Sequence, residues 1–152
     1  MLSGAFKATA KDGTVYYRSS LTYKRKHISL GSFPTEEEAH LAYKEGTSLL
    51  SESEITLENY TAYIKLLDFA KAITLVNFRD NGVYIKNPIY LKQNYFLYFL
   101  APQTEYKFDI DDLFFYSSHK IMQRGGRLFV NEYGMQTGIL SRYGVRNHAV
   151  LD

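Results

Sequence analysis

The chain has 152 residues, 45% hydrophobic and 22% charged, with 14 Tyr, 10 Phe, no Trp and no Cys; this composition argues for one folded domain or two small ones and against disorder. Disulfides, thiolate zinc sites and a cysteine nucleophile are excluded, no run approaches the roughly 18–20 apolar residues of a membrane span, and the first residues lack the apolar core of a secretory signal, so an intracellular, cytoplasmic protein without membrane partners is expected. The net +2 hides an asymmetry: residues 1–33 carry Lys7, Lys11, Arg18, Lys24, Arg25 and Lys26 against Asp12, a net +5, and residues 34–54 carry six glutamates against Lys44, a net −5.

Residues 4–33 alternate like a three-stranded antiparallel meander. Lys11-Asp12-Gly13-Thr14 signals a tight hairpin, because Asp-Gly readily supplies the positive φ angles of a primed turn. The second strand, Val15 to Tyr23, divides by its two-residue period into Tyr17, Ser19, Leu21 and Tyr23 on one face and Tyr16, Arg18, Ser20 and Thr22 on the other. In the third strand Ile28 and Leu30 oppose His27 and Ser29, so the sheet has an apolar face to bury and a polar, cationic face to show. A helix follows. Thr35 and Glu38 form a capping-box pattern, the acidic first turn suits the helix dipole, and Ala39, Ala42, Tyr43 and Gly46 fall on one helical stripe whose small residues let the helix approach the sheet closely.

The polar segment 51–61 marks a boundary, with Thr56 placed to cap a linking helix through Asp68 or Lys71 along the stripe Leu57, Tyr60, Ile64 and Leu67. From Ile73 the texture reads as β-rich: strand ITLVNF, a turn at Asp80-Asn81-Gly82, strand VYI, then strands within PIYLKQNYFLYFLAP. Asp109 is a cap for the segment FDIDDLFFY, Gly125-Gly126 punctuates a hairpin between HKIMQ and RLFVN, and Met135 to Arg142 reads as a short helix. The expected class is α+β: a three-stranded antiparallel sheet on one helix at 1–50, a helical linker at 51–71, and a β-rich α+β domain at 72–152.

Few residues offer catalytic chemistry. His40 lies among glutamates on a helix face, His119 and His148 have no sequence-local partners, and Asp109, Asp111 and Asp112 read either as a carboxylate cluster or as a helix start, the latter needing no cation. Gly125-Gly126 lacks the flanking pattern of a phosphate-binding loop. No Ser-His-Asp set, metal site or cofactor is expected. A second basic run, Lys120, Arg124, Arg127, Arg142 and Arg146 with Tyr116, Phe129, Tyr133 and Tyr143 interleaved, would extend a DNA footprint or form a protein-binding patch.

Tyr17-Arg18, then His27-Ile28-Ser29-Leu30-Gly31-Ser32-Phe33, then Thr35 through Tyr43, give residues 4–50 a pattern that resembles the plant-type Apetala/ethylene-response-factor DNA-binding domain, whose bacterial and phage relatives accompany homing endonucleases and integrases. The resemblance implies a sheet that enters the major groove of double-stranded DNA. It makes Arg18 a base or phosphate contact and puts His27 at a position usually basic. Lys7, Thr9 and Ser20 are expected on the same face, and Lys24, Arg25 and Lys26 in the turn are expected to meet phosphates. Ser20, Thr22 and Ser29 stand where plant members carry charged or aromatic readers.

Phe108 to Leu113 and the following hairpin resemble, more weakly, the segment preceding the metal core of HNH homing endonucleases, with Arg146-Asn147-His148 near the place of a catalytic Asn-His. Met135-Gln136-Thr137 stands where that family's first catalytic His would precede a helix, and Asp152 follows His148 closely, so a truncated or catalytically decayed domain is expected. The reading is a non-catalytic DNA-binding protein of a bacterium, phage or mobile element. Its rivals are a mobile-element inhibitor that binds a host nucleic-acid-processing enzyme and an HNH-type nuclease.

Overall fold

The computed structural model describes residues 2–124, 127–132, 135–138 and 150–151, with side chains through Ile121. The class is α+β, in two compact units, 1–68 and 69–152.

In the first unit, β1 (Ala5–Thr9), β2 (Val15–Tyr23) and β3 (Lys26–Phe33) form an antiparallel meander, followed by α1 (Glu36–Ser51). Thr35 caps α1 as its spacing predicts, its hydroxyl oxygen accepting from Glu38 N–H at 3.2 Å; the Glu38 carboxylate, however, closes on the Thr35 hydroxyl rather than on its backbone. The core lies between sheet and helix: Ala5, Leu21, Ile28 and Leu30 from the strands, Ala39, Ala42 and Leu49 from α1. Ser19 is fully buried there and donates from its hydroxyl to the Ala39 carbonyl at 2.7 Å.

The hairpin at Asp12-Gly13 departs from the expected primed turn. Only Gly13 has positive φ, +90°; its N–H donates to Ala10 O, and Ala10 N–H donates to Thr14 O, which makes a three-residue loop. Asp12 accepts from Thr14 N–H at 2.9 Å, and that fixes its own backbone outside the left-handed region.

The expected linking helix does not form. Residues 52–68 hold one 3₁₀ turn, Tyr60–Tyr63. The reason is a buried carboxylate: Glu45 of α1, 8% exposed, accepts from the consecutive N–H groups of Lys65, Leu66 and Leu67 at 2.9–3.1 Å, donors that a continuing helix would have turned toward its own carbonyls. Asn59 holds the start of the segment, accepting from Thr56 N–H and donating to Glu54 O.

In the second unit, ITLVNF is helical and not a strand: α2 runs Phe69–Asn81, and residues 72–78 are all buried. A continuous apolar run fits either period. Length and the alanines before it decide, and Gly82 at φ +74° ends the helix by donating its N–H to Phe78 O. VYI is a loop, and the strands are β4 (Ile89–Leu91), β5 (Tyr95–Ala101) and β6 (Thr104–Asp109), joined by β10 (Val150–Leu151) in the order β10-β6-β5-β4. A 3₁₀ turn, Ile110–Asp112, leads into α3 (Leu113–Ser118), and Asp109 makes no side-chain cap bond to it. The core is aromatic: Phe96, Tyr98, Tyr106, Phe108 and Tyr116, with the Phe108 and Tyr116 rings 4.4 Å apart. Asn87 anchors the end of α3 by donating to the carbonyls of Tyr116, Ser117 and His119.

The hairpin predicted around Gly125-Gly126 is present as β7 (Ile121–Arg124) and β8 (Arg127–Glu132), although the two glycines lie outside the described residues. Met135–Gly138 is strand β9, paired with β8, in place of the expected helix; β-branched Thr137 and Gly138 both disfavour a helix there. Among the described residues no helix is long and apolar enough to cross a membrane.

Candidate nucleic-acid interface

Register decides which side chains share the open face of the first sheet. Directly opposed residues of an antiparallel pair lie on the same face. Ala5 faces Ser19 and Leu21 faces Ile28, all buried toward α1. The other face therefore carries the rows Phe6–Arg18–Ser32, Ala8–Tyr16, Ser20–Ser29 and Thr22–His27.

This corrects one expectation. Lys7 pairs with Tyr17 and Thr9 with Val15, so both belong to the face of Ala5 and not to that of Arg18. A one-residue change of register exchanges every side chain of a strand between faces, and here it exchanges Lys7 and Thr9 for Phe6 and Ala8. The register is pinned at the start of β1. Gly4 has φ +74° and lies so close to Tyr43 of α1 that a Cβ would sit 2.2 Å from the ring, while its carbonyl accepts from Ser20 N–H.

Of the sequence candidates, Arg18 and His27 are exposed on the open face. Ser20 is on it by register but only 8% exposed, and so is withdrawn from contact. Lys26, opposite Tyr23, belongs by register to the α1 side and is exposed. Ile28 and Leu30 are in the core and Ser29 outside, as the two-residue period requires; a β-bulge leaves Leu30 unpaired and shifts the register beyond it, so that Gly31 faces Ser19 and Ser32 faces Arg18.

The Arg18 guanidinium is held by its neighbour: it donates to the Tyr16 hydroxyl at 3.1 Å, and its centre stands 5.8 Å from that ring's centroid. Phe6, opposite Arg18, is 51% exposed, an apolar ring on an otherwise polar surface. Sequence reasoning missed it, because the strand's short alternation fits two registers and only the contact of Gly4 with Tyr43 chooses between them.

At the far end of β2 and β3 the chain turns through Lys24 and Arg25 alone, at φ +48° and +69°. Two residues of positive φ define the primed turn that matches strand twist, and it is normally filled by Asn-Gly. For side-chain-bearing residues the left-handed region costs about 1–2 kcal/mol each. Both cations are exposed, Lys24 Nζ stands 5.5 Å from the Tyr23 ring centroid, and neither Lys24, Arg25 nor Arg18 is in an ion pair among the described residues. The carboxylate within residues 1–33, Asp12, lies at the opposite end of β2, about 25 Å away at strand rise. The Thr14 hydroxyl, then the Thr14 N–H, hold it below the usual carboxylate range.

Elsewhere, Lys120 is exposed, and Arg124 pairs with Arg127 at the end of the β7–β8 hairpin. Arg142, Arg146, Asn147 and His148 lie outside the described residues. His40 Nδ1 is 2.7 Å from Ser3 O, and His119 stacks on Phe115 with centroids 3.9 Å apart. Among the described residues no three His, Asp or Glu side chains gather as a metal site. Compared with known proteins, the chain matches no family model, no curated protein and no solved structure.

Proposed function

We propose that this chain binds double-stranded DNA without catalysis, presenting the open face and basic turn of its first sheet. One observation carries the reading. A guanidinium rests on Tyr16 in the middle of an exposed sheet face, and the same strand ends in a turn whose two cations occupy backbone positions that favour uncharged Asn-Gly. Backbone strain of this kind concentrates where side chains serve a purpose other than stability. Lys24 and Arg25 supply phosphate contacts, which carry affinity but no sequence information; Arg18 reaches a base edge, where it would pair bidentately with guanine. The resemblance to Apetala-type domains points the same way and implies a setting in a bacterium, phage or mobile element.

The test is fluorescence anisotropy of labelled duplex DNA across a salt series. Wild-type affinity should fall steeply with salt, a Lys24/Arg25/Lys26 triple alanine should lose most of it, and Arg18→Ala should lose about 1–3 kcal/mol on guanine-containing sites alone. Absence of binding at about 50 mM salt would defeat the proposal.

A second reading, a protein-binding inhibitor of a host nucleic-acid-processing enzyme, is favoured by Phe114. Its ring is 89% exposed at the rim of a cleft of about 400 Å³ that Val83, Ile85 and Leu113 also line. Phe114→Ala should abolish such a complex in a pull-down and leave DNA binding untouched.

A further inference from the structure

Resting on the DNA-binding reading above, we infer that Phe6 is a specificity-determining residue that contacts the 5-methyl group of thymine, so that the sheet prefers duplexes in which thymine lies next to the guanine taken by Arg18.

Phe6 stands opposite Arg18 across β1–β2, on the face away from the core. Directly paired residues have Cβ atoms roughly 5 Å apart, comparable with the rise between successive base pairs, so two such side chains meet neighbouring steps of one groove. Phe6 has no donor or acceptor and nothing to offer a phosphate. It is 51% exposed, its neighbours along its own strand on that face, Gly4 and Ala8, are small, and Tyr16, diagonal to it, turns its hydroxyl to Arg18, so half of the ring is left to the solvent. Next to it, Arg18 is already steadied by Tyr16. In the major groove the one apolar group on a base edge is the thymine methyl, and phenylalanine is among the side chains that meet it. A cationic reader beside an apolar one therefore asks for guanine beside thymine. The serines of the Ser20–Ser29 row leave room for the groove wall without competing for that contact.

The experiment compares wild type, Phe6→Ala and Phe6→Leu on two short duplexes: one of alternating G and T paired with alternating C and A, and the same duplex with every thymine replaced by uracil, which removes the methyl group and nothing else. Wild type should bind the thymine duplex about fourfold more tightly, the worth of one methyl group in apolar contact. Phe6→Ala should bind both duplexes alike, and Phe6→Leu should keep part of the preference, with circular dichroism unchanged in both variants. Equal wild-type affinity for the two duplexes, with salt-dependent binding intact, overturns the inference and leaves DNA binding standing; no binding to either overturns both. Tighter wild-type binding to the separated strands, lost in Phe6→Ala, would make Phe6 a stacking platform for unpaired bases and also overturns the methyl contact.

Discussion

In residues 1–68 the sheet buries one face and leaves the other open: Ala5, Ser19, Leu21 and Ile28 go inward, and Phe6, Arg18 and His27 stay outside. In residues 69–152 strand β5 buries Phe96 and Tyr98 on one face and Leu97 and Phe99 on the other. A strand buried on both sides has its side chains committed to packing, whereas a strand covered on one side keeps half of them for a ligand. The first unit is therefore the place to look for recognition. Aromatic residues that serve as core in the second unit, such as Phe108 against Tyr116, become in Phe6 and Tyr16 of the first unit surface groups beside a guanidinium.

Substitutions sharpen this contrast. The largest effect expected is in the second unit: Phe108→Ala should destabilise it by about 3–5 kcal/mol in urea unfolding, with DNA binding by the first unit retained. Loss of binding in that variant would show that the two units are not separable in function. In the first unit, Glu45→Ala strands three N–H donors and should cost roughly 3 kcal/mol, while Glu45→Gln, which keeps one acceptor oxygen, should cost less. Next comes a change of opposite sign. Replacing Lys24-Arg25 by Asn-Gly should raise stability by about 1–2 kcal/mol, by relieving the positive-φ turn, and at the same time weaken DNA binding and flatten its salt dependence by roughly two phosphate contacts. Unchanged binding in that variant would remove the turn from the interface.

The smallest effect is acid sensitivity in the second unit. Burial pushes Asp80 up, but hydrogen bonds from Arg79 and the Tyr90 hydroxyl, with the Arg79 charge, outweigh it and hold the carboxyl below its ordinary value. A depressed carboxylate contributes stability above its unfolded value and loses it as pH falls through the folded one. Asp80→Asn should therefore lower stability slightly at neutral pH and leave it nearly unchanged once the pH is below the folded value, so that the profile flattens across the carboxylate range, as read by denaturation midpoints at each pH.

What the sequence made legible follows the range of the interactions. The limits of β2, the cap at Thr35 and the small-residue stripe of α1 are encoded within a few residues, and the structure has them where the pattern puts them. Segment 52–68 has a helical stripe, Leu57, Tyr60, Ile64 and Leu67, yet its conformation depends on Glu45, distant in sequence, and the stripe carries no trace of that carboxylate. ITLVNF suits a strand as well as a helix in sequence, because an apolar run buried all round has no period to detect. In the candidate interface the charges of Arg18, Lys24 and Arg25 were legible, whereas Phe6 was not, since its face depends on a glycine packed against a helix thirty-nine residues further on.

The turn at Lys24 and Arg25 bears also on how the first unit folds. A turn that disfavours its own backbone conformation cannot seed a hairpin, so pairing of β2 with β3 has to be imposed from the strand ends toward the tip. The Gly13 loop carries no such penalty, and β1–β2 is the pairing expected to be formed in the transition state. Substitutions at Lys24 and Arg25 should then alter the unfolding rate and leave the folding rate nearly unchanged: the cations of the turn come into position last and leave first.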